Sequence, residues 1–199
     1  MAKISLKKGS TNKISLKKST PLLRKIRVEF SWTSDSKLDL DASALLCRKD
    51  SNGSAQIISE KHMVFYAQGC QFDQSKSVFY GGDVRDGSGD KETIEVNLET
   101  LPSDIEIIPL ILTIDDPRDQ KLTFGNATGG LLKIINAETD EEILDFDFLT
   151  DDLKNLSIIH VANIEINGGD WNVEGVGAGG VGDILDAFLM FGASSDWFE

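Results

Sequence analysis

Two acidic stretches hold the residue types in this chain best suited to chemistry. Asp39-Leu40-Asp41-Ala42-Ser43 sets two carboxylates two positions apart, and residues 82–92, GDVRDGSGDKE, set Asp83, Asp86, Asp90 and Glu92 among glycines and a serine. Glycines let a backbone turn tightly enough for several oxygens to converge. Convergent oxygens with no imidazole or thiolate beside them suit a hard dication such as calcium. In a strand, Asp39 and Asp41 face one side of the sheet. Burying both without partners is costly, and either a cation between them or a solvent-facing position removes that cost. Asp86-x-Ser88-x-Asp90 has the spacing of the first three ligands of an EF-hand. Lys91 then stands where that loop needs glycine, Asn97 where it needs a bidentate glutamate, and strand-like sequence flanks both sides, so an EF-hand is rejected. A non-EF calcium loop and a solvated acidic turn both remain as readings of the residues alone.

Other chemistries find less support. A catalytic carboxylate pair needs a cleft with substrate-binding groups, and nothing beside either motif supplies one. Of the two histidines, His62 and His160, the second lies in the apolar run Ile158-Ile159-His160-Val161 and reads as a sheet-face residue. Neither completes a nucleophile–base pair, so no enzymatic activity is expected. Residues 177–182, Gly-Ala-Gly-Gly-Val-Gly, match G-x-G-x-x-G between a strand and a helix. No second strand completes a βαβ unit after them, which leaves a small phosphorylated ligand or nucleotide as the lesser alternative at that stretch.

The elements that must position these residues read as strands. Ile26, Val28, Phe30 and Trp32 alternate with polar residues, as do Ile94, Val96 and Leu98, the period of a half-buried strand. Residues 105–114, IEIIPLILTI, form an apolar run suited to a strand buried on both faces, with Pro109 implying a bulge or an edge. Residues 130–136, 142–148, 157–166 and 170–176 supply further strands. Lys3-Ile4-Ser5-Leu6-Lys7-Lys8 returns as residues 13–18, giving a hairpin or two edge strands. Only 183–192 reads as a helix, and the aromatic end, Trp197-Phe198, reads as a frayed tail or a dock on another protomer. The expected fold is all-β: one domain over 1–199, a β-sandwich of two mainly antiparallel sheets with a short C-terminal helix.

Charge narrows the partners. Nine of the 20 basic side chains and none of the 33 acidic ones lie in residues 1–27, so the rest is more acidic than the net −13. Such a body repels nucleic acid and anionic lipid. The basic arm, residues 1–20 above all, is expected to lie against acidic surface, either the chain's own or a neighbour's in a homo-oligomer. No apolar run is long enough for a membrane span. The N-terminus lacks a secretory core, and the two cysteines, Cys47 and Cys70, read as reduced, in the cytoplasm.

Taken in order, the paired ISLKK segments, the strand ending at Trp32, DLDAS at 39–43, VFY at 64–66, the loop at 82–102, LTIDD at 112–116 and GGDWNVEGVGAGG at 168–180 resemble the TerD family of tellurium-resistance and general-stress proteins. The resemblance spans nearly the whole chain. It implies a calcium-binding β-sandwich whose ligands come from Asp39, Asp41, Asp83, Asp86 and Asp90, with Glu92, Asp115 and Asp116 in support. It also implies a non-catalytic role among other stress-response proteins; a calcium-independent oligomeric scaffold is the alternative. The family's loop ends in a denser acidic run. Here Lys91 interrupts a shorter one, and its ammonium is expected to weaken or remove one of two calcium sites.

Overall fold

The computed structural model describes residues 4–6, 14–15, 23–34, 38–83, 90–167 and 170–198. Two sheets face each other. One has six strands in the order β1 (Ile4–Leu6), β12 (Glu142–Asp147), β11 (Ala127–Asn136), β3 (Lys25–Ser34), β9 (Asp90–Asn97) and β8 (Val78–Asp83). The other has eight described strands. β2 (Ile14–Ser15), β14 (Asp170–Gly180), β13 (Ile158–Asn167), β10 (Ile107–Ile114), β4 (Leu40–Leu45) and β7 (Met63–Val64) run in that order, β5 (Cys47–Lys49) pairs with β10, and β6 (Ala55–Ile57) pairs with β5. Neighbours are antiparallel except β1 and β12, which run parallel. The expected sandwich of two mainly antiparallel sheets is what the chain forms.

Alternation explains the inner core. Ile26, Val28, Phe30 and Trp32 of β3 are buried while the residues between them are partly exposed. They meet Leu40, Ala42 and Ala44 of β4 in a single apolar cluster that also holds Ile108, Leu110 and Leu112 of β10. All eight residues of β10 are buried, because its other face is covered too. Ile107 and Ile111 pack in a second cluster with Ala187 and Phe188 of the helix α2 (Ile184–Leu189); a short helix, α1 (Pro117–Gln120), precedes it in the chain. This double burial is why the run is apolar without alternation. Pro109 is accommodated because β4 pairs with β10 only from Leu110 onward and β5 only at Ile107. The expected irregularity lies one residue further, between Leu110 and Ile111 against β13.

The described parts of the two copies of the N-terminal repeat do not pair with each other. They become edge strands of different sheets, β1 beside β12 and β2 beside β14. The aromatic end is a further correction: Trp197 and Phe198 fold back in a 3-10 turn onto the chain's own helix, with the Phe188 and Phe198 rings stacked 6.1 Å apart. Among the described residues, no helix is long and apolar enough to cross a membrane.

Candidate functional site

The register of β4 and β10 builds an acidic corner. Asp41 stands opposite Thr113 and Leu40 opposite Ile114, and just beyond the strand ends the Asp115 N–H donates to the Asp39 carbonyl at 3.0 Å. Because Leu40, Ala42 and Ala44 take the inner face, Asp41, Ser43 and Thr113 share the outer one. Asp39 and Asp115 are exposed and Asp41 half-buried. Asp116 follows in the left-handed region, φ 44°, ahead of Pro117. The Ser43 hydroxyl is fully buried on this outer face and has no hydrogen-bond partner among the described residues.

Glu92 reaches the same corner from the opposite sheet. Only 3% exposed, its carboxylate accepts from the Ala42 N–H and from the Tyr80 hydroxyl. β7 pairs with β4 only at Ala44 and Leu45, and Glu92 takes the N–H lying beyond that short ladder. It thus ties β9 to β4 across the sandwich. Asp83 stands opposite Glu92 in the β8–β9 ladder, and Asp90 opposite Trp32, so the loop between them opens at this end of the sheet. Strands flank that loop, in agreement with rejection of an EF-hand. Asp86 lies outside the described residues.

The Tyr66 phenol, although the residue is 44% exposed, is held above its ordinary pKa first by partial burial and then by the charges of Asp41, Asp115 and Glu92. Sequence reasoning missed Tyr66 and Tyr80: both are short-range neighbours of the acids only in space, and neither belongs to an acidic motif. The expectation placed on Lys91 depends on which face carries its ammonium. Adjacent residues of a strand point to opposite faces, and with Glu92 facing inward, the Lys91 ammonium pairs with Glu29 on the outer face at 3.3 Å, removed from the acidic corner.

The acids at this end of the β4–β10 pair, Asp39, Asp41 and Asp115, are oxygen donors, while the oxygens of Glu92 are taken by Ala42 and Tyr80. That chemistry fits calcium. Among the described residues no three acidic, histidine or cysteine side chains already enclose an ion-sized space, and the 84–89 loop is not among them. The remaining candidates have structural uses. His160 sits on the sheet face with its Nε2 2.7 Å from the Asn163 Oδ1 and its ring edge-on to Phe191. In the glycine stretch, a Cβ on Gly179 would lie 2.0 Å from the Ile158 carbonyl oxygen, so close strand pairing accounts for that glycine.

Known proteins match this chain along its length. The model of the TerD domain matches residues 1–190. The tellurium resistance protein TerD of Serratia marcescens is 28% identical over 96% of this chain and 98% of its own length. General stress protein 16U of Bacillus subtilis (strain 168) is 30% identical over 95% of this chain and 97% of its own. A solved homologue of the telluride resistance protein from Streptomyces coelicolor A3(2) superposes with a TM-score of 0.63 at 17% identity, covering 86% of this chain and 99% of that one, which is a likeness of fold. With the domain model matched over almost the whole length and a relative 30% identical end to end, this chain belongs to the TerD domain family of tellurium-resistance and general-stress proteins.

Proposed function

We propose that the chain binds calcium at the acidic corner and acts as a non-catalytic binding module in the stress response. The observation that carries this reading is the β4–β10 register, which sets Asp39 and Asp41 beside Asp115 while Glu92 arrives from the facing sheet. Asp39, Asp41 and Asp115 would hold the ion, with Asp83, Asp86 and Asp90 closing over it from the acidic loop and Asp116 at the rim. Calcium would supply the positive charge that lets these carboxylates share one corner. Glu92, whose oxygens already hold Ala42 and Tyr80, fixes the distance between the sheets. The ordered corner would then present a surface to other stress-response proteins. The free thiols of Cys47 and Cys70 accord with a cytoplasmic setting.

The test is a thermal melt of chelator-treated protein, repeated with millimolar calcium and with millimolar magnesium. A ligand at 100 times its dissociation constant stabilises the folded state by about 2.7 kcal/mol, a rise of several degrees. Calcium is expected to give that rise, magnesium little, and Asp39→Asn with Asp41→Asn neither. An equal calcium response in the double variant would place the ion elsewhere.

A further inference from the structure

We propose that a second site, the cleft between α1 and the β14–α2 connection, takes a small organic anion: a phosphate monoester carried on an apolar skeleton. The cleft measures about 220 Å³, below the roughly 300–1,000 Å³ of drug-sized sites, so its ligand is small. Pro117, Leu122 and Val181 give it apolar walls, and Arg118 and Lys121 stand over them. No carboxylate lines it, in a chain whose net charge is −13. Against the field of that body, Lys121 carries the positive charge of the lining, since Arg118 shares its own with Asp183 and Asp186 at the edge.

The groups over the cleft are positioned for an anion. Asp183 and Asp186 pair with the two terminal nitrogens of the Arg118 guanidinium at 3.5 and 2.6 Å, and a guanidinium has five N–H donors in a fixed fork, so some remain for a ligand. The Lys121 ammonium makes no hydrogen bond or ion pair with the other described residues. The wall opposite is rigid: the Ser157 hydroxyl donates to the Gly182 carbonyl at 2.6 Å and accepts from the Gly182 N–H at 2.9 Å. Gly182 is also the last glycine of the G-x-G-x-x-G stretch. Its φ is 159°, close to extended, and a Cβ there would meet Asp186 at 2.5 Å. That stretch thus ends in the cleft wall, where a phosphate would be met by side-chain cations rather than by a dinucleotide-type loop.

The experiment is an amide chemical-shift titration of the chelator-treated protein with phenyl phosphate, inorganic phosphate and benzyl alcohol. Working without calcium separates this site from the acidic corner. Saturable shifts at Lys121, Thr123, Val181 and Gly182 are expected with phenyl phosphate, and at least tenfold weaker binding of the other two probes. Lys121→Gln, which removes a side chain with no described partner, is expected to weaken phenyl phosphate at least fivefold with the spectrum otherwise intact. Absence of saturable shifts there, an unchanged affinity in Lys121→Gln, or inorganic phosphate binding as tightly would each overturn the proposal. So would co-sedimentation with phosphatidylcholine–phosphatidic acid vesicles in place of phenyl phosphate binding, which would assign the anion to a membrane.

Discussion

Glu92 shows how one acidic side chain carries two roles that sequence cannot separate. As a member of an acidic loop it reads as a metal ligand; in the fold it is a buried brace between Ala42 and Tyr80. Glu92→Ala would remove the acceptor of the Ala42 N–H and of the Tyr80 hydroxyl, hydrogen bonds whose loss costs about 1–3 kcal/mol each when buried, so a loss of about 3 kcal/mol is expected in urea unfolding. Tyr80→Phe removes only one partner and is expected to cost about 1 kcal/mol; losses near zero for both would show that the brace does not hold the sheets. The histidines give a pH dependence. Burial first, against weaker opposing help from Asn163 and the Ala162 backbone, holds His160 below its ordinary pKa, and burial lowers His62 as well. The unfolded chain therefore binds the extra protons in the window below roughly 6.5, and stability falls as the pH drops through it. A lower urea midpoint at about pH 5.5 than at about pH 7.5 is expected, with a shallower difference in His160→Gln. An identical difference in that variant would remove His160 from the explanation. His160 itself was legible as a sheet-face residue from its apolar neighbours, whereas nothing along the chain tied Tyr66 to Asp41.

Strands were legible because their burial is periodic. β3 alternates and is buried on one face; β10 does not alternate and is buried on both, since the helix and the aromatic end cover its outer side. What periodicity could not supply is which strands become neighbours. Asp115 lies beside Asp39 only because β4 and β10 pair, a contact across more than seventy residues of sequence. Within the glycine stretch, spacing could not show that Gly179 answers to the strand beside it. Alanine there would press on the Ile158 carbonyl, whereas alanine at Gly180 would meet nothing nearer than the Met190 sulfur at 3.9 Å. Gly179→Ala is therefore expected to cost about 1–3 kcal/mol and Gly180→Ala about 0.5 kcal/mol or less, read as melting temperatures. Equal shifts for the two would contradict the strand-packing explanation.

The whole molecule divides its charge between a basic N-terminal segment and an acidic body. The described parts of that segment, β1 and β2, add one edge strand to each sheet of their own chain. Membership of the TerD domain family was legible from the order of the motifs, and the two-sheet fold followed from their strand periods. The effect of Lys91 was not, because facing inward or outward depends on the register that sends it to Glu29. With that ammonium turned to Glu29, the proposed calcium site is expected to be indifferent to it. The most direct measurement is a calorimetric titration of calcium into chelator-treated protein, alongside Asp41→Asn and Lys91→Glu. Saturable binding that Asp41→Asn weakens at least tenfold, and that Lys91→Glu leaves within about threefold, is the expected result; tenfold corresponds to about 1.4 kcal/mol. No heat of binding in the unaltered protein, or an affinity indifferent to Asp41, would contradict calcium binding at this corner.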